Sequence, residues 1–293
     1  MSTTCTVVIS VCLELLWGYL DTKNYNRIMM ILNDKTHGKK TIYWLLNVLD
    51  KYNIPVTWAT VGGLFLEKDE IIDVLRRKKS TRIVEGNSKA ILDSLYGKDI
   101  VEEILSSRIS HELGYHTFTH TVLKGSSYDV AELEIREGVR IAKKRFGVKM
   151  KSFVFPKNEI EYIDLIKKYG FTVFRGKNMW KSKKIGIGGK FIQIISAERV
   201  NIIDFNNIKC LPTSMLFDNP FPSPLLIATR GMRRGKGCIF HISLHPESFL
   251  DYGLNLRLQF ELFLRYISRM HRRGMLDIMT MNQVVEVVGN EDS

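Results

Sequence analysis

Residues 7 to 18, "VVISVCLELLWG", form an almost unbroken apolar run, and such a run reads as a buried strand. In a strand, residues two apart share a face, so Ser10, Cys12 and Glu14 are expected to point the same way. From Ile42 to Leu49 the apolar positions switch to helical spacing (Ile42, Leu45, Leu46, Leu49), with Asn53 as a stop signal before Pro55. "VTWATVG" returns to strand character before a Gly-Gly turn. Residues 68 to 98 read as a helix with a surface excursion, and "KDIVEEILSS" as a short helix. "DVAELEIREGVRIAKKRFG" is a helix closed by Gly147, "KSFVFP" a strand, "IEYIDLIKKYG" a helix closed by Gly170 and "FTVFRG" a strand. "KKIGIGGK" and "DNPFPSP" read as loops, "GCIFHISLHP" as a late strand and "LQFELFLRYISRMHRRG" as a long helix. Strands alternating with helices at this rhythm predict an α/β barrel or an open parallel sheet, and no Pro/Ser-rich linker divides the chain.

Composition sharpens this only in part. With 45% apolar residues over 293 positions the chain can bury one large core, which excludes a disordered chain. The formal charge of +12 is compatible with an anionic partner such as an acidic glycan. The basic stretch "RGMRRGKG" at 230 to 237 lacks interleaved aromatics, which disfavours nucleic acid. Four cysteines (Cys5, Cys12, Cys210, Cys238) without CxxC spacing suggest reduced thiols and a cytoplasmic setting. No uncharged stretch approaches the ~20 residues of a membrane span. "GIGG" at 186 to 189 reads as a tight turn, since it lacks the spacing of a nucleotide-binding loop.

The chemistry concentrates in "HELGYHTFTH". His116 and His120 would share a face if a helical turn carries them, and two imidazoles at that spacing can bind one divalent ion. A buried carboxylate such as Glu14 calls for a partner or a metal. "HISLHP" supplies a further histidine, His245. In a parallel barrel, functional residues gather where strands end, and these residues are spread through the chain in that manner.

Five ordered segments together resemble the polysaccharide deacetylases of the NodB-homology type, carbohydrate esterase family 4: "VVISVCLELLWG", "LLNVLDKYNIPVTWATVGGLF", "EEILSSRISHELGYHTFTH", "SFVFPKNEIEYIDLIKKYGFTVFRG" and "HISLHPESF". The closest likeness is to the branch with a D-x-[D/E] first motif, which includes peptidoglycan-deacetylase-like and cyclic-imide-hydrolase-like members. The resemblance spans residues 6 to about 285 of a single 1–293 domain. It implies a distorted (β/α)7-type barrel related to the TIM fold. It also implies a divalent metal, expected to be zinc, held by Glu14, His116 and His120. Such an ion would polarise an acetamide carbonyl and activate water for removal of an N-acetyl group from a sugar or glycan. His245 would then protonate the departing amine.

Two departures stand out. Cys12 occupies the seat of the family's catalytic base, an aspartate. Val154 stands where many members carry an arginine, and Lys157 in "FPKN" is the candidate stand-in. Pro156, Asn158 and Trp17 are candidate substrate contacts, although core packing is the competing account of Trp17, as it is of Trp58 and Trp180. Glu112 could orient an imidazole or simply belong to the start of an element. Three functions follow: a working carbohydrate deacetylase, an impaired homologue that binds a glycan without hydrolysis, and a basic scaffold for a polyanion. Oligomeric state is not legible.

Overall fold

A computed structural model describes residues 4–20, 25–77, 88–177, 200–221, 223–232 and 238–291. The loop readings at 183–190, the residue Trp180 and most of the basic stretch 230–237 lie outside these residues. Ten strands are described in chain order: β1 (Cys5–Leu13), β2 (Thr57–Thr60), β3 (Glu112–Tyr115), β4 (Ser152–Phe153), β5 (Val173–Gly176), β6 (Ile203–Phe205), β7 (Ile208–Pro212), β8 (Met215–Leu216), β9 (Ile239–Leu244) and β10 (Leu276–Met279). Their order across the sheet is β6-β7-β5-β4-β3-β2-β1-β9-β8, with β10 beside the first half of β1. All of these pairings are parallel except β6 with β7.

The two ends of this sheet meet through the chain itself. β7 runs through Thr213 and Ser214 directly into β8, and Ser214 exchanges hydrogen bonds with the His241 backbone on β9. Counting β7 and β8 as one interrupted strand, the positions β1, β2, β3, β4, β5, β7–β8 and β9 number seven. The sheet is therefore curled into a distorted (β/α) barrel, as the alternation of elements predicts.

The alternation of β1 sorts its side chains. Val7, Ile9, Val11 and Leu13 face the helices, while Val8 and Cys12 belong to an interior cluster with Ala59, Val154, Val173 and Leu211. Met281, Val284 and Val285 from the last helix close that cluster. The helix Lys39–Tyr52 ends at Asn53 in the left-handed region, and Tyr128–Phe146 ends at Gly147 in the same way, both as expected.

The first strand stops earlier than its apolar run predicts. β1 ends at Leu13, Glu14 turns to helical backbone, and Leu15–Tyr19 form a single 3-10 turn. Leu15 sits at φ 49°, a strained position for a branched residue, so the chain bends sharply where Glu14 leaves the strand. Gly18 is required there, because a Cβ would overlap Glu14 Oε2.

Candidate metal centre

Six strands bring residues to one cluster at the C-terminal rim of the barrel. Glu14 follows β1, His116 and His120 follow β3, Asn158 follows β4, Arg175 lies on β5, Asp218 follows β8 and His245 follows β9. The histidine pair is not on a helical turn. β3 ends at Tyr115, and "HTFTH" is an irregular loop with Thr117 at φ 59° and His120 at φ 60°. The loop keeps this strained shape because Glu134, on the helix Tyr128–Phe146, grips it. Glu134 accepts from the Thr119 N–H at 2.8 Å, the Thr119 hydroxyl at 2.5 Å and the Thr121 hydroxyl at 2.9 Å. The two rings come together edge-on, their centroids 4.9 Å apart.

The Glu14 carboxylate is the hub. Its Oε1 lies 3.1 Å from His116 Nε2 and 3.7 Å from His245 Nε2, and its Oε2 lies 3.5 Å from His120 Nε2. Side-chain exposure rises from 2% at His116 and 7% at Glu14 to 10% at His120 and 31% at His245, so the cluster opens on the His245 side.

The donor chemistry of this cluster fits a cation. Burial pushes His116 down to about 4 against the opposing pull of Glu14, so the ring is neutral near pH 7. Its Nδ1 lies 2.7 Å from the Val154 carbonyl, which can only accept, so the ring proton sits on Nδ1. Nε2 then presents a lone pair to a carboxylate oxygen, and two acceptors at 3.1 Å repel unless a positive charge stands between them. Burial also opposes the charge on Glu14, yet His120 above all outweighs it and holds the carboxyl well below the usual range. Glu14, His116 and His120 offer donor atoms within 4.8 Å of one another, the arrangement that would hold one divalent ion and leave further positions open.

Opposite this set stands an imidazole paired with a carboxylate. Asp218 accepts from the His245 backbone N–H at 2.8 Å and holds the ring Nδ1 at 2.5 Å. Burial disfavours the charged imidazole, but Asp218 and Cys12 more than offset this, so the His245 pKa is raised well above its ordinary value. The sequence reading missed Asp218, whose signal was an acidic residue beside the Asn-Pro turn of "FDNP".

Arg175 was also missed, and it corrects the expectation for Lys157. Lys157 is exposed at φ 55° on the outside of the turn and is not the basic neighbour of Cys12. Arg175, 3% exposed, fills that place: its guanidinium donates to Cys12 Sγ at 3.2 Å, Ser10 Oγ at 3.3 Å and Asn158 Oδ1 at 3.3 Å. Its signal was spacing, since Val173 and Arg175 are two apart on β5 and Val173 faces the interior. Among the described residues, this buried cation hydrogen-bonds Cys12, Ser10 and Asn158, with no carboxylate in the seat that Cys12 occupies.

Other candidates fall elsewhere. Trp17 is 1% exposed, donates its indole N–H to the Leu95 carbonyl at 2.9 Å and packs on Gly63, so no ring face is open to a sugar. Trp58 is likewise enclosed. Pro156 is buried at the turn after β4, and Asn158 reaches the cluster through Arg175. Glu112 sits at the opposite end of β3, where it accepts from Thr57, Ser152 and the Asn282 N–H, so it cannot orient the imidazoles. His241 lies inside the barrel, 2.9 Å from Ser10 Oγ, with its pKa pushed down by burial and by Arg175 to about 3. Glu247 is a further buried carboxylate, two residues past His245, and both of its oxygens lack a hydrogen-bond partner.

Comparison with known proteins agrees with this fold. A search of curated proteins by sequence finds no match. Among solved structures, a protein from Mycobacterium smegmatis assigned to the polysaccharide deacetylases superposes with a TM-score of 0.62 at 15% identity, covering 100% of this chain and 92% of that one. PuuE allantoinase gives 0.57 at 9% identity over 96% of this chain and 89% of that one. A 4-alpha-glucanotransferase from Thermococcus litoralis gives 0.57 at 11% identity over 98% of this chain but 40% of its own. At such identities these likenesses establish the fold. The family model for polysaccharide deacetylase matches residues 21–174, more than half of the chain and the stretch that carries both loop histidines. With that match and the shared barrel, this chain belongs to the polysaccharide deacetylase family.

Proposed function

We propose that the chain is a metal-dependent deacetylase that removes an N-acetyl group from a sugar or glycan. The observation that carries this reading is the neutral His116 Nε2 facing the Glu14 carboxylate at 3.1 Å, an arrangement that calls for a cation. Zinc suits a set of one carboxylate and two imidazoles. A divalent ion bound there would supply Lewis-acid polarisation of the acetamide carbonyl and lower the pKa of a water toward ~7. The chain's own residues do the rest. His116 and His120 are locked by Val154 and by the grip of Glu134 on their loop, so the site is assembled before substrate arrives. His245, charged and open to solvent on one side, gives its Nε2 proton to the amine nitrogen as the C–N bond breaks. Asp218 holds the ring in place and stabilises its charged form. Four cysteines without CxxC spacing suit a reducing compartment, which supports a cytoplasmic setting.

The test is acetate release from N-acetylglucosamine oligomers and nucleotide sugars, expected to vanish with a chelator and in His116→Ala. A protein that holds its metal but turns over nothing on a broad acetamide panel would overturn hydrolysis. The second reading, a glycan-binding homologue without turnover, is favoured by one feature: Cys12, and not a carboxylate, lies beside Arg175.

A further inference from the structure

We propose that Cys12, Glu14 and His245 form a second, sulfur-containing metal site that shares the Glu14 carboxylate with the His116–His120 set. Cys12 Sγ, a Glu14 oxygen and a His245 ring nitrogen all lie within 4.8 Å of one another, and Glu14 Oε1 is 3.7 Å from His245 Nε2. Donors around a tetrahedral first-row ion stand about 3.3–3.8 Å apart, given bonds of about 2.0–2.3 Å, so a small inward closure seats an ion here. The supporting contacts are those of a ligand set. Asp218 holds His245 Nδ1 at 2.5 Å, which turns Nε2 toward Glu14 as a carboxylate does for a metal-bound imidazole. Arg175 points an N–H at Cys12 Sγ from 3.2 Å, and its other recorded contacts are to the neutral Ser10 and Asn158. Among the described residues no carboxylate hydrogen-bonds this buried guanidinium, and a sulfur anion bound to a metal gives it a negative neighbour. On binding, the Cys12 thiol proton and the His245 Nε2 proton both leave to solvent as the metal–sulfur and metal–nitrogen bonds form.

Cys12 is wholly enclosed at 0% exposure, so a substrate carbonyl cannot approach its sulfur, whereas a single ion entering past the half-open His245 can. Sulfur makes the site selective for soft ions such as zinc, cobalt or cadmium over magnesium or calcium. It also has a functional consequence: His245 bound to an ion has no Nε2 proton to give. This inference rests on Glu14 as a metal-facing carboxylate but not on turnover.

Cobalt(II) titration of the full chain, followed by near-ultraviolet absorption and equilibrium dialysis, tests it. The expected result is a sulfur-to-cobalt charge-transfer band that is lost in Cys12→Ser, retained in His116→Ala and unmoved by excess magnesium. Dialysis should show a second ion bound by the unmodified chain. His245→Ala, in a half-exposed position that folding tolerates, should weaken the cobalt affinity reported by the band about tenfold or more. No band at saturation, or a band that survives Cys12→Ser, overturns the site. So does loss of the band in His116→Ala, which would make Cys12 a ligand of the His116 ion. Acetate release is measured separately, so failure of the deacetylase reading leaves these outcomes readable.

Discussion

Cys12 stands beside the buried Arg175 guanidinium, in a position whose geometry suits a carboxylate. The guanidinium reaches the residue at 3.2 Å from a buried strand, and a planar fork pairs with a carboxylate far better than with a neutral sulfur. Cys12→Asp should therefore be tolerated and should place a general base next to Glu14. Positioned bases contribute roughly 10²–10⁴-fold, so acetate release is expected to rise by that order while the ion at Glu14, His116 and His120 is retained. An unchanged rate with metal retained would show that the missing base does not limit turnover. Glu247 makes a separate prediction. Burial, then the charge of Glu14, push its carboxyl up to about 7, partly countered by His245. A carboxyl raised on folding keeps its contribution below its unfolded value near 4.5 and loses it as pH climbs through about 7. In the presence of a chelator, denaturant unfolding should show the unmodified chain losing on the order of 3 kcal/mol across that window relative to Glu247→Gln. Parallel pH curves for the two proteins would contradict the shift.

The loop that carries the histidines owes its shape to a neighbouring helix and not to its own sequence. Thr119 and Thr121 flank His120, and both hydroxyls converge on Glu134, one turn and a half into the helix Tyr128–Phe146. Gly138 on the same helix lets Tyr115 lie against it, since a Cβ there would overlap the tyrosine hydroxyl. Glu134→Ala frees the loop without touching a ligand, and loss of such outer partners costs about 10–100-fold in metal affinity. Equilibrium dialysis with zinc should show that drop; an unchanged affinity would mean the loop holds itself. This dependence explains what the sequence could and could not reveal. Helix ends at Asn53 and Gly147 were legible because a left-handed cap is a local event with a local residue signal. The spacing of His116 and His120 rightly joined them but suggested a helical turn, because strain at Thr117 and His120 is imposed from Glu134 across 15 residues of chain. Glu14 was legible as a carboxylate in an apolar run, yet the strand's early end was not, for it depends on Leu15 and Gly18 accommodating the turn. Arg175 escaped because a strand of "FTVFRG" reads as core, and only the closed ring shows that its inward face meets Cys12. Lys157 drew the eye because it is adjacent to the proline, but its backbone turns it out to solvent.

Across the whole barrel, the cluster joins strands that are not neighbours in the chain. Glu14 follows β1, the histidine loop leaves β3, and β2 lies between them, paired to both. An ion held by Glu14, His116 and His120 would therefore brace the rim across three adjacent strands, where β3 and β4 share a single paired position. Without a cation, the rim keeps a buried carboxylate against a neutral imidazole lone pair, a contact that favours opening. Since the ligands come together only in the folded ring, binding to the native state alone stabilises it by about 2.7 kcal/mol at a hundredfold excess over Kd. For a chain of this size each kcal/mol moves the midpoint by roughly 2–4 °C at most, so zinc should raise the melting temperature by several degrees over the chelator-treated protein. In His116→Ala the difference should shrink, because the neutral ring that faces Glu14 is gone. Equal melting temperatures with and without zinc, in a protein shown by dialysis to bind it at Glu14, would mean that the rim is already rigid and that the ion serves chemistry alone.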